Sequence, residues 1–422
     1  MPQLKVLING GGIAGNALAF WLSKLHHDVT IVERHPNLRA TGLQVDLRGH
    51  GIEVMKRMGL EQAFQAKQVP EQGLQVVDSK DRQWAYFPVN KSGKGLQSFT
   101  TDFEIMRGDL CCLFHDAASK HGAKYIFSTS VESFEQRNNC VAVHFTNDSA
   151  EVFDLLVGAD GLWSSTRRLL FASGTEGVFS LKDLYNAYFT APKPMQQGED
   201  YLATIYMAPG KRGIMTRRSK QHEIQVYIGC TTEIPSLKNA RKGDADAEKK
   251  AFAEIFQGAG WQSGEIVKAM MSAEDFYCER MALVKLETWS KGNVALVGDA
   301  AYCPTANTGM GTSSAVVGAY ILAGEIGRAC GRGDRVETDT KDGDSLVNAL
   351  KAYEETFRPF MDQVQKGVLD DNGVFPATAF GVALTLWLAW IASLLRLDLG
   401  RWFLKEGVKG WKLPEYEEML RD

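Results

Sequence analysis

Cysteine is scarce and unpaired in this chain. Seven of its 422 residues are Cys111, Cys112, Cys140, Cys230, Cys278, Cys303 and Cys330, an odd set without C-x-x-C or Cys/His spacing. That excludes a disulfide scaffold and a zinc site, and it points to reduced thiols in a cytoplasmic setting. Surplus positive charge is missing as well. The formal net charge is −4, and Lys and Arg are scattered, so no basic face for nucleic acid is expected. Internal repeats and low-complexity tracts are absent, which excludes a solenoid or a disordered linker. The first strand is expected by residue 5, leaving no room for a leader peptide. With 45% hydrophobic residues, the chain can bury a large core in two or three domains.

The richest stretch is KVLINGGGIAGNALAFWLSKLHHDVTIVER, from Lys5 to Arg34. Its opening apolar run predicts a strand buried on both faces, as in parallel sheets. Gly10, Gly12 and Gly15 follow at G-x-G-x-x-G spacing, with Ile13 and Ala14 between them. The first permits a tight turn, the second lets a pyrophosphate approach the backbone, and the third lets helix and strand pack closely. Ala17, Leu18, Trp21, Leu22 and Leu25 recur at helical spacing, so a helix N-terminus faces the phosphates. Glu33, with Arg34 beside it, ends the second strand where an acid can accept from an adenosine ribose. The unit predicts bound FAD or NAD.

Further along, Arg39, Asp46 and Arg48 flank an alternating strand and could face an anionic cofactor. Glu104 to Ala118 is predicted as a helix with Arg107 in its first turn, where a cation opposes the helix dipole unless a phosphate or flavin edge lies nearby. The run DLLVGADGLWSSTRRLL predicts a second buried strand ending in Asp160 and Gly161, with Arg167 at a helix start. NVALVGD is a third such strand, ending in Asp299. Pro304, Gly309 and Gly311 shape the loop after it, and Thr312 or Ser313 is expected to cap a long apolar helix. Ligands in open α/β sheets sit outside the carboxyl ends of the strands, so the three tips mark one crevice. Between them, residues 183–232 read as a separate β-sheet, whose Tyr206, Met215, Arg217, Gln225 and Tyr227 are expected to project from one face toward a substrate.

With GGGIAG and Glu33, DGLWSSTR, and GDAAYCPTANTGMG in this order, the chain resembles the class A flavoprotein monooxygenases of the para-hydroxybenzoate hydroxylase fold. In spacing it is most similar to the tetracycline-inactivating branch and to fungal tailoring hydroxylases. The resemblance covers about the first 360 residues. It implies an α/β fold, with a Rossmann-like FAD-binding domain (1–78, 100–178 and 282–360) interleaved with a β-sheet substrate domain (79–99 and 179–281) and followed by a C-terminal helical segment (361–422). It implies FAD as the cofactor, held by the residues of the three motifs, and NAD(P)H, taken as NADPH, as a transient co-substrate without a Rossmann domain of its own. The reaction implied is flavin-centred, with O2 added at the flavin C4a and a hydroxyl passed to an aromatic or polycyclic carbon. An oxidase or epoxidase on the same scaffold, or a flavin-loaded protein that sequesters its ligand, are the alternatives. Many members carry His after GDAA, whereas this chain has Tyr302, which puts a borrowed proton relay there in doubt.

The segment from Val374 to Leu395 carries no charge over 22 residues. Its length admits a membrane span. A helix buried against both domains and roofing the site is the favoured expectation; membrane attachment is the disfavoured one. A monomer or weak dimer is expected.

Overall fold

The computed structural model describes residues 3–38, 42–89, 101–137, 139–172, 177–241, 243–333, 343–369, 375–397 and 408–420. Arg39, residues 90–99 of the expected substrate domain and Val374 therefore lie outside the described residues. In chain order, β1 (Lys5–Asn9), α1 (Ile13–Lys24) and β2 (Asp28–Glu33) form the opening βαβ unit. β3 (Gln44–Asp46), α2 (His50–Arg57) and α3 (Glu61–Gln65) lead to a hairpin of β4 (Gly73–Val77) and β5 (Gln83–Pro88). Next come β6 (Glu104–Met106), α4 (Arg107–Lys120) and β7 (Lys124–Phe127). A meander of β8 (Val131–Arg137), β9 (Cys140–Phe145) and β10 (Ala150–Phe153) precedes β11 (Leu155–Gly158) and α5 (Ser165–Phe171).

The second half opens with four long strands, β12 (Val178–Pro192), β13 (Leu202–Ala208), β14 (Arg212–Lys220) and β15 (Glu223–Thr231). Helices α6 (Pro235–Asn239), α7 (Ala245–Phe256) and α8 (Ser263–Ser272) follow, then β16 (Tyr277–Val284), β17 (Ser290–Lys291) and β18 (Val294–Leu296). The described chain continues through α9 (Asp299–Tyr302), α10 (Gly311–Cys330), α11 (Gly343–Gln365) and α12 (Ala379–Leu394).

Among the described residues, the first sheet runs β17-β18-β11-β1-β2-β7, with β18, β11, β1, β2 and β7 parallel. Its central strands are apolar on both faces because α1, α5 and the β8–β10 meander all pack into the same core with them; Val6, Leu7, Ile8 and Leu155 are fully buried. The second sheet runs β16-β12-β15-β14-β13-β4-β5. Its strands alternate instead. Ile214, Ile224, Val226 and Ile228 point to α6–α8, and the alternate residues point back toward the first sheet.

Three expectations need correction. β4 pairs in parallel with β13, so the crossover into the second sheet comes at Gly73 rather than at residue 79. Residues 104–106 are a strand paired with β3, and the helix begins only at Arg107. The C-terminal segment is not one unit. Residues of α11 and Leu413, Tyr416 and Met419 belong to the first core, whereas α12 lies along β4, β5 and β13. α12 buries only Leu386 and Ala392, so it does not pack between the two sheets as a roof. No helix among the described residues is long and apolar enough to cross a membrane.

Candidate active site

Three strand tips converge because their loops interlock. The register of β1, β11 and β18 continues past the strands: Ala159 N–H donates to the Asn9 carbonyl at 2.9 Å and Val297 N–H to that of Gly158 at 2.9 Å. Gly10 has φ +119°, and a Cβ there would lie 2.6 Å from the Ala159 carbonyl oxygen. At Gly15 a Cβ would lie 2.0 Å from the Gly10 oxygen, so α1 packs onto the turn at a distance no side chain allows. A Cβ at Gly298, in the third loop, would lie 2.7 Å from Ala14 Cβ.

Gly11 is fixed at both ends. Its N–H donates to Glu33 Oε2 at 2.9 Å, and its carbonyl accepts from Asn16 Nδ2 at 2.8 Å, while Tyr125 donates to Asn16 Oδ1 at 2.7 Å. Gly12 next to it faces open space, with nothing within 4 Å of a would-be Cβ. It also caps α1 without any side-chain acceptor. A clear space at an uncapped helix N-terminus suits a phosphate group. Ile13 is half-buried, and Arg34 is exposed on the far side of Glu33.

Asp160 and Arg167 reach the strand tips, where the structure spends them on holding the loops together. The Asp160 carboxylate accepts from Ser164 Oγ at 2.5 Å and from the N–H groups of Ser165 and Thr166 at 2.8 and 3.0 Å, so it holds the first turn of α5, which Ser164 caps by accepting from Arg167 N–H at 2.9 Å. Arg167 is buried and donates to the carbonyls of Ala300 (2.8 Å) and Leu162 (2.7 Å), tying the second loop to the third. Burial lowers its pKa, and Asp160 offsets part of that.

Asp299 stands at the third tip. Burial pushes its carboxyl up, while a hydrogen bond with Cys303 and the positive charge of Arg107 pull it back. Arg107 begins α4, and its Nη1 is buried without a hydrogen-bond partner. The hydroxyls of Thr305 and Ser314, in the loop after Pro304 and in the first turns of α10, are likewise buried and unpartnered. Thr305 has φ +65° and ψ 151°, a region costly for a β-branched residue. Gly309, also at positive φ, closes the turn after it.

The expected cap of α10 is overturned. The helix starts at Gly311 with no side-chain cap, and Ser313 Oγ instead accepts from Arg48 N–H at 2.8 Å because α2 packs on that turn. Thr312 makes no cap either, which leaves a second bare helix N-terminus at the crevice. Arg48 is buried and paired with Asp46, so each occupies the other. Tyr302 turns away into the first core, where its hydroxyl meets that of Tyr353 at 3.2 Å and its ring packs on Trp289.

On the second sheet, Met215 pairs with Tyr227 and Arg217 with Gln225, so these four share the face turned to the strand tips. Tyr206 does not join them, a correction to the expectation. Ile205 is the residue opposite Met215; Tyr206 therefore points the other way, packs in the α7–α8 core and donates to the Ala259 carbonyl at 2.6 Å. Sequence reasoning missed Tyr188 and Tyr277, which extend a row of rings from Tyr227 across β15, β12 and β16. The Tyr188 ring centroid lies 5.6 Å from that of Tyr227 and 4.9 Å from that of Tyr277. Glu279 lies at their edge, 3.4 Å from the Tyr188 hydroxyl. Phe375 was missed too: its ring fills the notch left by Gly213 and Gly229, paired directly across β14 and β15.

A buried ionic network joins this face to the β3–β6 ribbon. Arg217 donates through Nε and Nη2 to Glu71 at 2.8 and 2.6 Å, and Nη2 lies 3.0 Å from Glu104 Oε2. Gln44 Nε2 donates to both carboxylates at 3.1 Å. Burial would lower the Arg217 pKa, but Glu104 and Glu71 outweigh it and hold it raised. Burial lifts Glu104 to about 7; Arg217 opposes that, and Asp46 and Glu71 add to it. No local sequence signal marks Glu71 or Glu104, because their partner comes from a strand far away in the chain.

Comparisons with known proteins agree with this arrangement. The family described as FAD binding domain matches residues 3–349. The FAD-dependent monooxygenase asL4 of Sarocladium schorii is 50% identical over 100% of both chains. The flavin-dependent monooxygenase eupH of a Phoma species is 40% identical over 86% of this chain and 85% of its own. Among solved structures, tetracycline destructase Tet(51) superposes with a TM-score of 0.77 at 28% identity, covering 99% of this chain and 100% of its own.

Proposed function

Because the chain belongs to the FAD binding domain family and is an FAD-dependent monooxygenase, we propose that it hydroxylates an aromatic or polycyclic small molecule held on the second sheet, with O2 and a reduced nicotinamide, taken as NADPH. The observation that carries the substrate class is the cluster of Tyr188, Tyr227 and Tyr277 on the face turned to the strand tips. Such rings offer stacking surfaces to a flat, electron-rich molecule and keep water away from it. The similarity to the tetracycline destructases Tet(51) and Tet(55) makes a tetracycline-like or polyketide-like polycycle the first class to try.

FAD, when bound, supplies the oxygen-activating chemistry. The residues present fit it. Gly12 and the start of α1 would take the pyrophosphate, Glu33 the adenosine ribose, and the free Nη1 of Arg107 with Asp299 the ring-side half. The bare N-terminus of α10 would favour negative charge placed beside it. Met215 and Tyr227 would position the substrate, and Phe375 would close one end of its bed. Arg217 would act mainly by holding Glu71 and Glu104, since two of its nitrogens are already engaged. In this reading the first sheet holds the cofactor and the second the substrate, and the chain works as a monomer or weak dimer. Seven free thiols suit a reducing compartment such as the cytoplasm.

The test is mass spectrometry of products from a phenol, quinone and tetracycline panel turned over under labelled oxygen gas. A gain of one labelled oxygen is expected on a polycyclic member. Nicotinamide consumption matched throughout by hydrogen peroxide, with no oxygenated product, would overturn hydroxylation in favour of an oxidase.

A further inference from the structure

We propose that α12 is an interfacial helix that seats the enzyme on an anionic lipid surface. Seventeen large apolar side chains are exposed among the described residues, and eight of them lie between Phe380 and Leu397. A monomer seldom leaves so contiguous an apolar patch in water. At 100° per residue, the exposed side chains Trp390, Leu394, Trp387, Phe380, Leu384 and Leu388 sweep an arc of roughly 160°. Leu386 and Ala392, on the opposite side, seal the helix to β4 and β5. The hydrogen bonds between Ser393 and the backbone of Tyr86, and those from the N–H groups of Gly210 and Lys211 to the carbonyls of Ala377 and Pro376, pin both ends. The helix is thus held rigidly with its apolar arc outward.

The chemistry of the arc favours lipid over a second protein surface. From residue 372 to residue 397 the one charged side chain is Arg396. A protein interface carries roughly one direct hydrogen bond per 100–200 Å², and the exposed side chains of the arc offer no polar groups beyond the two indole N–H groups. Trp387 and Trp390 are the side chains that settle where hydrocarbon meets headgroups. Cations stand at both ends: exposed Lys211 beside the start of the helix and exposed Arg396 just past its end. The chain overall carries −4, yet these two cations flank a helix with no acid along its length, and they complement anionic headgroups. At 16 residues, α12 lies along the surface rather than through it.

Flotation of the holoenzyme with vesicles decides the matter. Wild-type protein is expected to float with phosphatidylcholine/phosphatidylserine vesicles, less with phosphatidylcholine alone, and to show blue-shifted tryptophan emission. Trp387→Gln/Leu388→Gln should lose about tenfold in partitioning while keeping flavin content and melting temperature. Phe380→Gln/Leu384→Gln, on the same arc, repeats the measurement should the first variant fold poorly. Protein that stays at the bottom of the gradient with both lipid compositions would overturn the proposal. So would a wild-type dimer in sedimentation equilibrium that the variants abolish, since the arc would then cover a second copy.

Discussion

At the scale of single residues, the most consequential feature is a carboxyl with too little company. Glu104 shares the single guanidinium of Arg217 with Glu71, while nearby Asp46 is taken by Arg48 and adds only its negative charge. Its pKa is lifted from 4.5 to about 7 by burial. A group raised in the folded state binds a proton that the unfolded chain has released, so stability falls as pH rises between those two values and levels off above. The amplitude is about 1–3 kcal/mol. Melting temperature followed from pH 5 to pH 8 should therefore decline in the wild type and decline much less in Glu104→Gln. Parallel curves for the two proteins would show that Glu104 is ionised throughout and that Arg217 alone satisfies it.

At the scale of elements, the βαβ opening was legible because its signals are local: a doubly buried strand, three glycines at fixed spacing and a helical stripe all fall within 30 residues. The same unit yields a discriminating pair of substitutions. Gly12→Val projects into open space, so it should leave folding near wild type yet fill the place of the pyrophosphate and abolish yellow colour on purification. Gly15→Val instead drives a side chain against the Gly10 carbonyl and should cost both flavin and fold, read as a lowered melting temperature of the apoprotein. Equal damage from the two would mean that the open space at Gly12 is not where the cofactor binds. What the sequence could not disclose follows from register. A one-residue shift along β13 decides whether Ile205 or Tyr206 shares a face with Met215, and pattern alone cannot fix that choice in a strand with apolar residues on both sides. Tyr188, Tyr277 and Phe375 were hidden for a related reason, since each acquires its place from strands that are distant in the chain.

At the scale of the whole molecule, the two larger hydrophobic cores among the described residues, one under each sheet, must act as one enzyme. The Glu71–Arg217–Glu104–Gln44 network couples them, since β3 and β6 lie against the first core and β14 carries Arg217 on the second sheet. A buried ion network is weak evidence for net stability, but removing one partner strands the others without compensation. Arg217→Met leaves two buried carboxylates facing each other and should cost roughly 3–5 kcal/mol. Calorimetry supplies the sharper readout. If the network is what makes the two cores melt together, the single wild-type transition should split in Arg217→Met, with the second sheet unfolding first. Replacing the whole set, as Gln44→Leu/Glu71→Leu/Glu104→Leu/Arg217→Met, should restore a single transition, because packed apolar side chains can join the same surfaces without any charge or amide to satisfy. A wild type that already melts in two steps would mean that the sheets are coupled by the cofactor between them rather than by this network.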